Sequence, residues 1–348
     1  MSDAVDHDAS RPSGRLARLL RHAWWLHSFW ALLLGVGVML FARKGIAHAS
    51  EVLVAAGVAW ILVFVAVRFI TGPGNVSPDE KLARKGLRVV TAYLIKNLFQ
   101  QMFFFQLPLY ASSATWALDS TNWWLPILLG LCAVLSTLDV VFDQYILPNR
   151  PAAALLYGVC LFALLNLILP LVTTLTHAQS LLLAGVSAPP AAALLRFPVR
   201  RVLAPLGLLI TLAIAGVVGA GAWLGRAAIP PAPLALVYGA VGHGTPGAYE
   251  VLPGKITVVR AGQLDELRCV TQLVDPSGAP DVLVHVWRHG GVVVAKLAPT
   301  DVPSDEPASR VLRSVLPALP ADPTGRWSCT VQTAEGQLVG RVSWKVVK

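Results

Sequence analysis

The chain has 348 residues, of which 55% are hydrophobic and only 14% are charged. This balance is far from that of soluble proteins, and apolar runs near the roughly 20 residues that a helix needs to cross a bilayer exclude an ordinary soluble domain. The formal net charge of +9 suggests nucleic acid, but most Lys and Arg flank apolar runs. Because no basic stripe interleaved with aromatic residues occurs in the polar part, we expect no nucleic-acid partner.

Residues 1–22 form a polar segment with four arginines, which we predict to be a cytoplasmic N-terminal segment. The apolar run that follows is long enough to remain in the membrane, so no cleavable signal peptide is expected.

Residues 23–225 are predicted to form a polytopic transmembrane domain. A sixth span beside the five clear ones runs from Val89 to Trp116; it is unusually polar, and Pro108 is expected to kink it. A seventh, Ala178–Leu195, has two prolines in its middle and either crosses as a broken helix or dips in and returns. The five clear predicted spans are Trp24–Ala42, Val52–Val67, Pro126–Phe142, Ala152–Leu175 and Val202–Leu224.

Positive charge predicts the orientation of these spans. With a cytoplasmic N-terminus and seven crossings, the outer side receives only Arg43, Lys44 and Arg226, and the loops at 119–122 and around His177 carry no Lys or Arg. A re-entrant Ala178–Leu195 would move three arginines outward, so full crossing is favoured. The cytoplasmic side receives the N-terminal arginines and Arg68, Lys81, Arg84, Lys85, Arg88, Arg150, Arg196, Arg200 and Arg201.

After a Pro-rich linker at 226–233, residues 234–348 contain roughly eight short segments rich in β-branched residues and separated by turn signals. The predicted fold is therefore an α-helical integral membrane bundle of about seven spans followed by an all-β immunoglobulin-like sandwich. The orientation places this sandwich outside the cytoplasm.

The four cysteines divide evenly between the two parts. Cys132 and Cys160 lie in apolar spans and are expected to act as small hydrophobic side chains. Side-chain alternation points Cys269 and Cys329 inward on separate strands with Trp287 between them, which predicts an inter-sheet disulfide packed on the tryptophan. The alternative is a pair of reduced, buried thiols.

Three motifs carry a family resemblance: Val284–Gly291 with its His-x-Trp strand, Gly325–Trp327 with its Gly-x-Trp strand, and the Glu335–Leu338 hairpin. Together they resemble bacterial polytopic inner-membrane proteins of unknown function that carry a C-terminal β-sandwich domain of unknown function. The resemblance covers roughly 234–348. It implies an envelope location and a β-sandwich, and it implies no activity.

His285 and His289 alternate onto one strand face and form a candidate ligand face of the β-domain. Zinc needs three or four ligands, and no third partner is apparent, so no metal is predicted. In the membrane part, Asp139 and Asp143 lie four residues apart on one helix face. With Lys96, Gln100 and Gln101 they form a candidate intramembrane polar cluster, either functional or structural.

No nucleotide-binding loop, nucleophile elbow or zinc-protease motif occurs, so neither catalysis nor a cofactor is predicted. The first hypothesis is a multi-pass protein of the bacterial inner membrane whose periplasmic β-sandwich binds an envelope protein or glycan. The second is a small transporter or membrane enzyme that uses the intramembrane polar cluster.

Overall fold

The computed structural model describes residue 57 and residues 100–138, 141–146, 148–243, 258–264, 266–302 and 308–348. Helical residues 100–113 form α1, and a short π-helix, Phe142–Ile146, lies between α2 and α3. The remaining helices are α2 (Trp124–Thr137), α3 (Arg150–Val172), α4 (His177–Arg196), α5 (Val199–Leu203) and α6 (Pro205–Leu224).

The ends of α3 and α4 follow from local capping. The Asn149 side chain accepts a hydrogen bond from the Ala152 amide, and a proline occupies the first turn of α3. Thr176 and Gln179 form a reciprocal capping box at the start of α4. Although Pro189 and Pro190 lie inside α4, the helix continues through them to Arg196. The broken or re-entrant alternative is therefore not seen in this segment.

The prediction of about seven spans is wrong. In the part of the chain that the structure describes, three helices are long and apolar enough to cross a membrane: Arg150–Val172, His177–Leu195 and Pro205–Leu224. The predicted span Pro126–Phe142 fails because its helix, α2, has only 14 residues and gives way to the π-helix. The predicted spans Trp24–Ala42 and Val52–Val67 lie outside the described residues, apart from Gly57, as do residues 89–99 of the sixth.

These three helices pack side by side in sequence order, α3 against α4 and α4 against α6. Because four residues join α3 to α4, the two helices run antiparallel. Only 17% of the most apolar stretch of α6 is buried. Leucines such as Leu206 and Leu209 are more than half exposed. An apolar helix surface of this kind suits lipid rather than water.

The β-domain consists of two sheets. One has the strand order β1-β3-β7-β6, and the other has the order β2-β9-β8-β4-β5, with β2 parallel to β9. The order of the first sheet, and that of β9-β8-β4 in the second, correspond to the two sheets of seven-stranded immunoglobulin-type sandwiches, with one extra strand at each edge of the second sheet. The strands are β1 (Ala235–His243), β2 (Val258–Arg260), β3 (Leu267–Val274), β4 (Leu283–His289), β5 (Val292–Leu297), β6 (Thr300–Val302), β7 (Ser309–Val315), β8 (Gly325–Thr333) and β9 (Leu338–Val347).

The main core of the β-domain lies between the two sheets. Strand β3 alternates buried and half-buried residues along its whole length, as the sequence pattern predicts. Its inward residues Leu267 and Cys269 meet Trp287, Trp327 and Cys329 from the other sheet.

One end of the β-domain rests on the helices. Asp281, in the β3–β4 loop, accepts from the backbone amide of His177, the first residue of α4 (3.2 Å), and its carboxylate lies 2.5 Å from the His177 Nδ1 atom. Asn122, before α2, donates to the Leu338 carbonyl oxygen (2.9 Å), and Arg226, after α6, donates to the Glu335 carbonyl oxygen. The helix ends near 122, 177 and 226 therefore lie on the side of the β-domain.

Candidate functional site

Cys269 and Cys329 face each other across the core of the β-domain. Cys269 lies on β3 and Cys329 on β8, and Trp287 is the direct cross-strand neighbour of Cys329. All three are completely buried, and both cysteines are free thiols in the structure. Burial raises the pKa of the Cys329 thiol well above its ordinary value, with Cys269 adding to the effect. Two inward thiols on opposing sheets suit a disulfide, which stays a prediction.

His285 lies in the same core, on the inward face of β4 with Trp287. Trp287 Nε1 donates to Ser314 Oγ (3.1 Å), and the same hydroxyl oxygen lies 2.7 Å from His285 Nδ1. The other ring nitrogen, Nε2, lies 3.0 Å from Thr271 Oγ1, so both ring nitrogens have a hydroxyl partner. Burial lowers the pKa of His285 to about 4, so the ring is a neutral member of a closed hydrogen-bond chain.

Cys269, His285 and Cys329 are the group in the described residues that could hold a metal ion, since their ligand atoms lie within 4.8 Å of one another. The proximity of His285 to the two cysteines was not predicted from the sequence. His285 lies two residues before the inward Trp287, and side chains two apart on a strand point to the same face. This spacing could have predicted that His285 also points into the core. Both ring nitrogens are engaged by hydroxyls, and a structural zinc site takes four ligands. The geometry therefore fits a packed core better than a metal centre.

His289, the other predicted ligand residue, lies apart from His285 at the far end of β4. It is half-buried and stacks on Trp327 with ring centroids 4.4 Å apart, and its Nε2 atom lies 2.8 Å from the Thr324 carbonyl oxygen. Trp327 in turn stacks on Trp344. The two histidines therefore form no common exposed face, because His285 points into the core.

Gly325 explains the Gly-x-Trp motif. Its φ of +124° is a conformation that side chains disfavour, and a Cβ there would lie 3.2 Å from His289 Nε2. The glycine lets the chain enter β8 beneath the histidine and place Trp327 in the core two residues later.

The intramembrane polar residues are only partly described. Lys96 and Asp139 lie outside the described residues, Gln101 is half-buried, and the side chain of Asp143 is not described, although its backbone belongs to the π-helix. Gln100 is buried and donates to the Ser136 carbonyl oxygen of α2 (2.5 Å). The structure thus places Gln100 against α2 and leaves the remainder of the predicted cluster open.

Further polar residues of α1, which the sequence analysis did not assign to the cluster, contact α3. Gln106 lies 3.4 Å from the Cys160 carbonyl oxygen, and Tyr110 donates to the Ala163 carbonyl oxygen while accepting from Asn166. The amide oxygens of Gln100 and Gln106 are buried without a donor among the described residues. A polar seam therefore runs through an otherwise apolar helix interface.

Four of the described arginines in the helical part lie at the end opposite the β-domain. Arg150 begins α3, Arg196 ends α4, and Arg200 and Arg201 lie in α5. Arg226, on the side of the β-domain, is held by the Trp223 and Glu335 carbonyl oxygens. The loop at 173–176, on that same side, has no Lys or Arg.

These features define a class of protein with apolar helices of membrane-spanning length followed by a two-sheet β-domain. A family model described as "Family of unknown function (DUF5924)" matches residues 8–266. The chain therefore belongs to this family of unknown function. The match covers the helical part and the first strands, so membership does not depend on the His-x-Trp and Gly-x-Trp motifs that carried the resemblance.

No curated protein matches the chain. No solved structure matches it.

Proposed function

We propose that this protein is an anchored binding module: its apolar helices cross a bacterial inner membrane and hold the β-domain on the periplasmic side, where it binds a protein partner. The observation that carries the proposal is the position of the β-domain relative to the helix ends. Among the described residues, it sits at the helix ends near Asn122, His177 and Arg226, whereas Arg150, Arg200 and Arg201 lie at the opposite ends.

The positive-inside rule predicts how these helices are oriented in the membrane. Loops rich in Lys and Arg stay in the cytoplasm, so the arginine end of α3, α4 and α5 is cytoplasmic. The β-domain, at the other end of the same helices, then lies outside. The three helices of membrane-spanning length are sufficient for this orientation.

The helices also fix the position of the β-domain. His177–Asp281 and Asn122–Leu338 attach it to two separate helix starts, and Arg341 pairs with Asp119 at 2.5 Å. Contacts at several points of one end hold the opposite end of the sheets away from the bilayer. A module that presents its free end to a partner needs this kind of attachment.

A protein partner suits the free surface better than a glycan. The edge strand β5 exposes Val292, Val293 and Val294 in succession, and contiguous exposed apolar residues mark protein-interaction sites. In the sheet that contains β5, the rings of Trp327 and Trp344 are buried in the core, where a sugar cannot stack on them.

Site-specific cross-linking in cells tests this proposal. A photo-reactive residue replaces Val292 on β5 or, as a control, Val258 on β2, which is also exposed and lies at the opposite edge of the same sheet. We expect a discrete cross-linked protein from position 292 and none from position 258. Absence of any product at 292, or a product that contains only a second copy of this chain, would contradict the proposal.

A second candidate function is transport of a small cation or proton, and the polar seam of α1 favours it. Gln100 Oε1 and Gln106 Oε1 are buried and have no donor among the residues that the structure describes. An unpaired buried amide oxygen costs free energy, which a bound ligand would relieve. Proteoliposomes that carry the intact chain would then show a proton or sodium flux that Gln106→Leu and the pair Asp139→Asn with Asp143→Asn abolish. Unchanged ion permeability relative to empty liposomes excludes this function.

A further inference from the structure

The outer face of the five-stranded sheet is strongly basic. Strands β4, β5, β8 and β9 contain no Asp or Glu in their described sequence, and their outward residues include five cations. Strand alternation places these cations on the face opposite the buried Trp287, Trp327 and Trp344. They are Arg288, Lys296, Arg326, Arg341 and Lys345, which we term the basic face.

Like charges meet on this face. Arg326 is the direct cross-strand partner of Lys345, an arrangement that destabilises a sheet. Arg288 donates to Thr330 Oγ1 (2.8 Å); burial and the neighbouring charge of Arg341 lower the pKa of Arg288, with Asp119 opposing them. The repulsion between these cations is therefore not relieved by an Asp or Glu of the same four strands.

The other sheet shows that this concentration is not a general property of the domain. There, Arg268 pairs with Glu266 at 2.5 Å and Arg310 pairs with Asp301 at 3.3 Å. On the basic face, the ion pair that the structure shows is Arg341 with Asp119, at the end near the helices.

We propose that the basic face is the partner-binding surface of the β-domain and that it takes an acidic surface of a protein. This inference rests on the proposed function and names the chemistry of its partner. The face carries the cross-strand pair Ser328 and Ser343 between its cations, and this combination of charges and hydroxyls suits an interface with side-chain carboxylates. The exposed valines of β5 border it, since Val293 pairs with Arg288.

The geometry argues against phospholipid headgroups as the anionic partner. Leu338, at the start of β9, contacts the helix end at Asn122, and Lys345 lies about 20 Å farther along the strand. The headgroup layer extends only about 6 Å beyond the hydrocarbon core. A β9 strand directed along the membrane normal therefore holds Arg326 and Lys345 beyond the reach of the headgroups.

The test uses the full chain in a neutral detergent and immobilised poly-L-glutamate as the probe. Arg326→Glu with Lys345→Glu changes two exposed cations of the basic face, and Arg310→Glu with Arg313→Glu makes the same charge change on the other sheet. We expect the parent chain to bind poly-L-glutamate, and added salt to weaken this binding. The Arg326/Lys345 variant should bind at least tenfold more weakly, whereas the Arg310/Arg313 variant should bind nearly as well as the parent. Equal weakening by both variants, or no binding by the parent chain, would overturn the inference.

Vesicles of phosphatidylglycerol supply the second arm. We expect the vesicles to bind the two double variants equally. If the vesicles bind the parent chain and the Arg310/Arg313 variant but not the Arg326/Lys345 variant, the surface recognises lipid and the inference fails. If poly-L-glutamate does not bind while the cross-link at position 292 persists, the proposed function stands without the inference. If the β-domain were cytoplasmic, the proposed function would be contradicted, but binding of poly-L-glutamate in detergent would be unchanged.

Discussion

Asp281 of the β-domain accepts hydrogen bonds from both the backbone amide and the imidazole Nδ1 of His177, the first residue of α4. Because a carboxylate only accepts, Nδ1 carries the proton. The carboxylate also occupies the helix N-terminus, where negative charge is favoured. Both residues are buried, so this pair attaches the β-domain to a helix of membrane-spanning length.

Replacement of Asp281 is expected to loosen this attachment. Asp281→Asn removes the charge from a buried, charge-assisted contact, which costs about 2 kcal/mol. Trypsin cleavage after Arg226, at the start of the linker, should then release the β-domain at least tenfold faster. The matched control is Asp301→Asn, which removes the same charge from a largely exposed pair with Arg310. Equal release rates for both variants would contradict the attachment.

The backbone at Gly325 should not accept a side chain. Gly325→Ala forces a Cβ into a φ of +124° and against the His289 ring, at a cost of about 1–3 kcal/mol. Urea unfolding of the β-domain, followed by tryptophan fluorescence, measures this loss. Gly262→Ala provides the control, because a Cβ there meets no atom within 4 Å, and it should leave the midpoint nearly unchanged.

Stability of the β-domain should fall with acid through His285. The folded pKa of about 4 lies below the ordinary value of 6.5, so the unfolded chain binds the proton first. The contribution is complete above about pH 6.5 and is lost as the pH falls towards 4, up to about 3 kcal/mol. Urea unfolding at pH 7 and pH 4.5 measures it against His285→Gln, which keeps hydrogen-bonding groups but does not titrate. Parallel pH profiles for the two proteins would show that His285 does not carry this dependence.

A periplasmic β-domain should contain the Cys269–Cys329 disulfide. Closing that loop stabilises the folded state by on the order of 4 kcal/mol in the chain-entropy model. When cells are denatured directly into an alkylating reagent, mass spectrometry should find two labelled cysteines, Cys132 and Cys160, and four after reduction. Four labelled cysteines without reductant would show that the thiols remain free.

The β-sheet content of the C-terminal part could be predicted from the sequence because its signals are local. Alternation in β3 and β8, and the position of Trp287 between two inward cysteines, are properties of single strands. The basic face could not be predicted in the same way, because its cations come from four strands. Arg326 and Lys345 become neighbours only through the β8–β9 register.

The span count failed for a related reason. Apolar composition at 126–142 satisfied the expectation for a crossing, yet the helix ends at Thr137 and a π-helix follows at Phe142. By contrast, Pro189 and Pro190 suggested a break in α4 that the packing of α4 between α3 and α6 overrides. Composition predicts partition into lipid better than it predicts where a helix ends.

The most direct test of the central claim is the side of the membrane on which the β-domain lies. The four native cysteines are buried, so an added surface cysteine can be labelled selectively with a membrane-impermeant maleimide in spheroplasts. Val292→Cys, at the free end of the β-domain, should react in intact spheroplasts. Val199→Cys, beside the arginines of α5, should react only after permeabilisation. The reverse pattern would contradict the account.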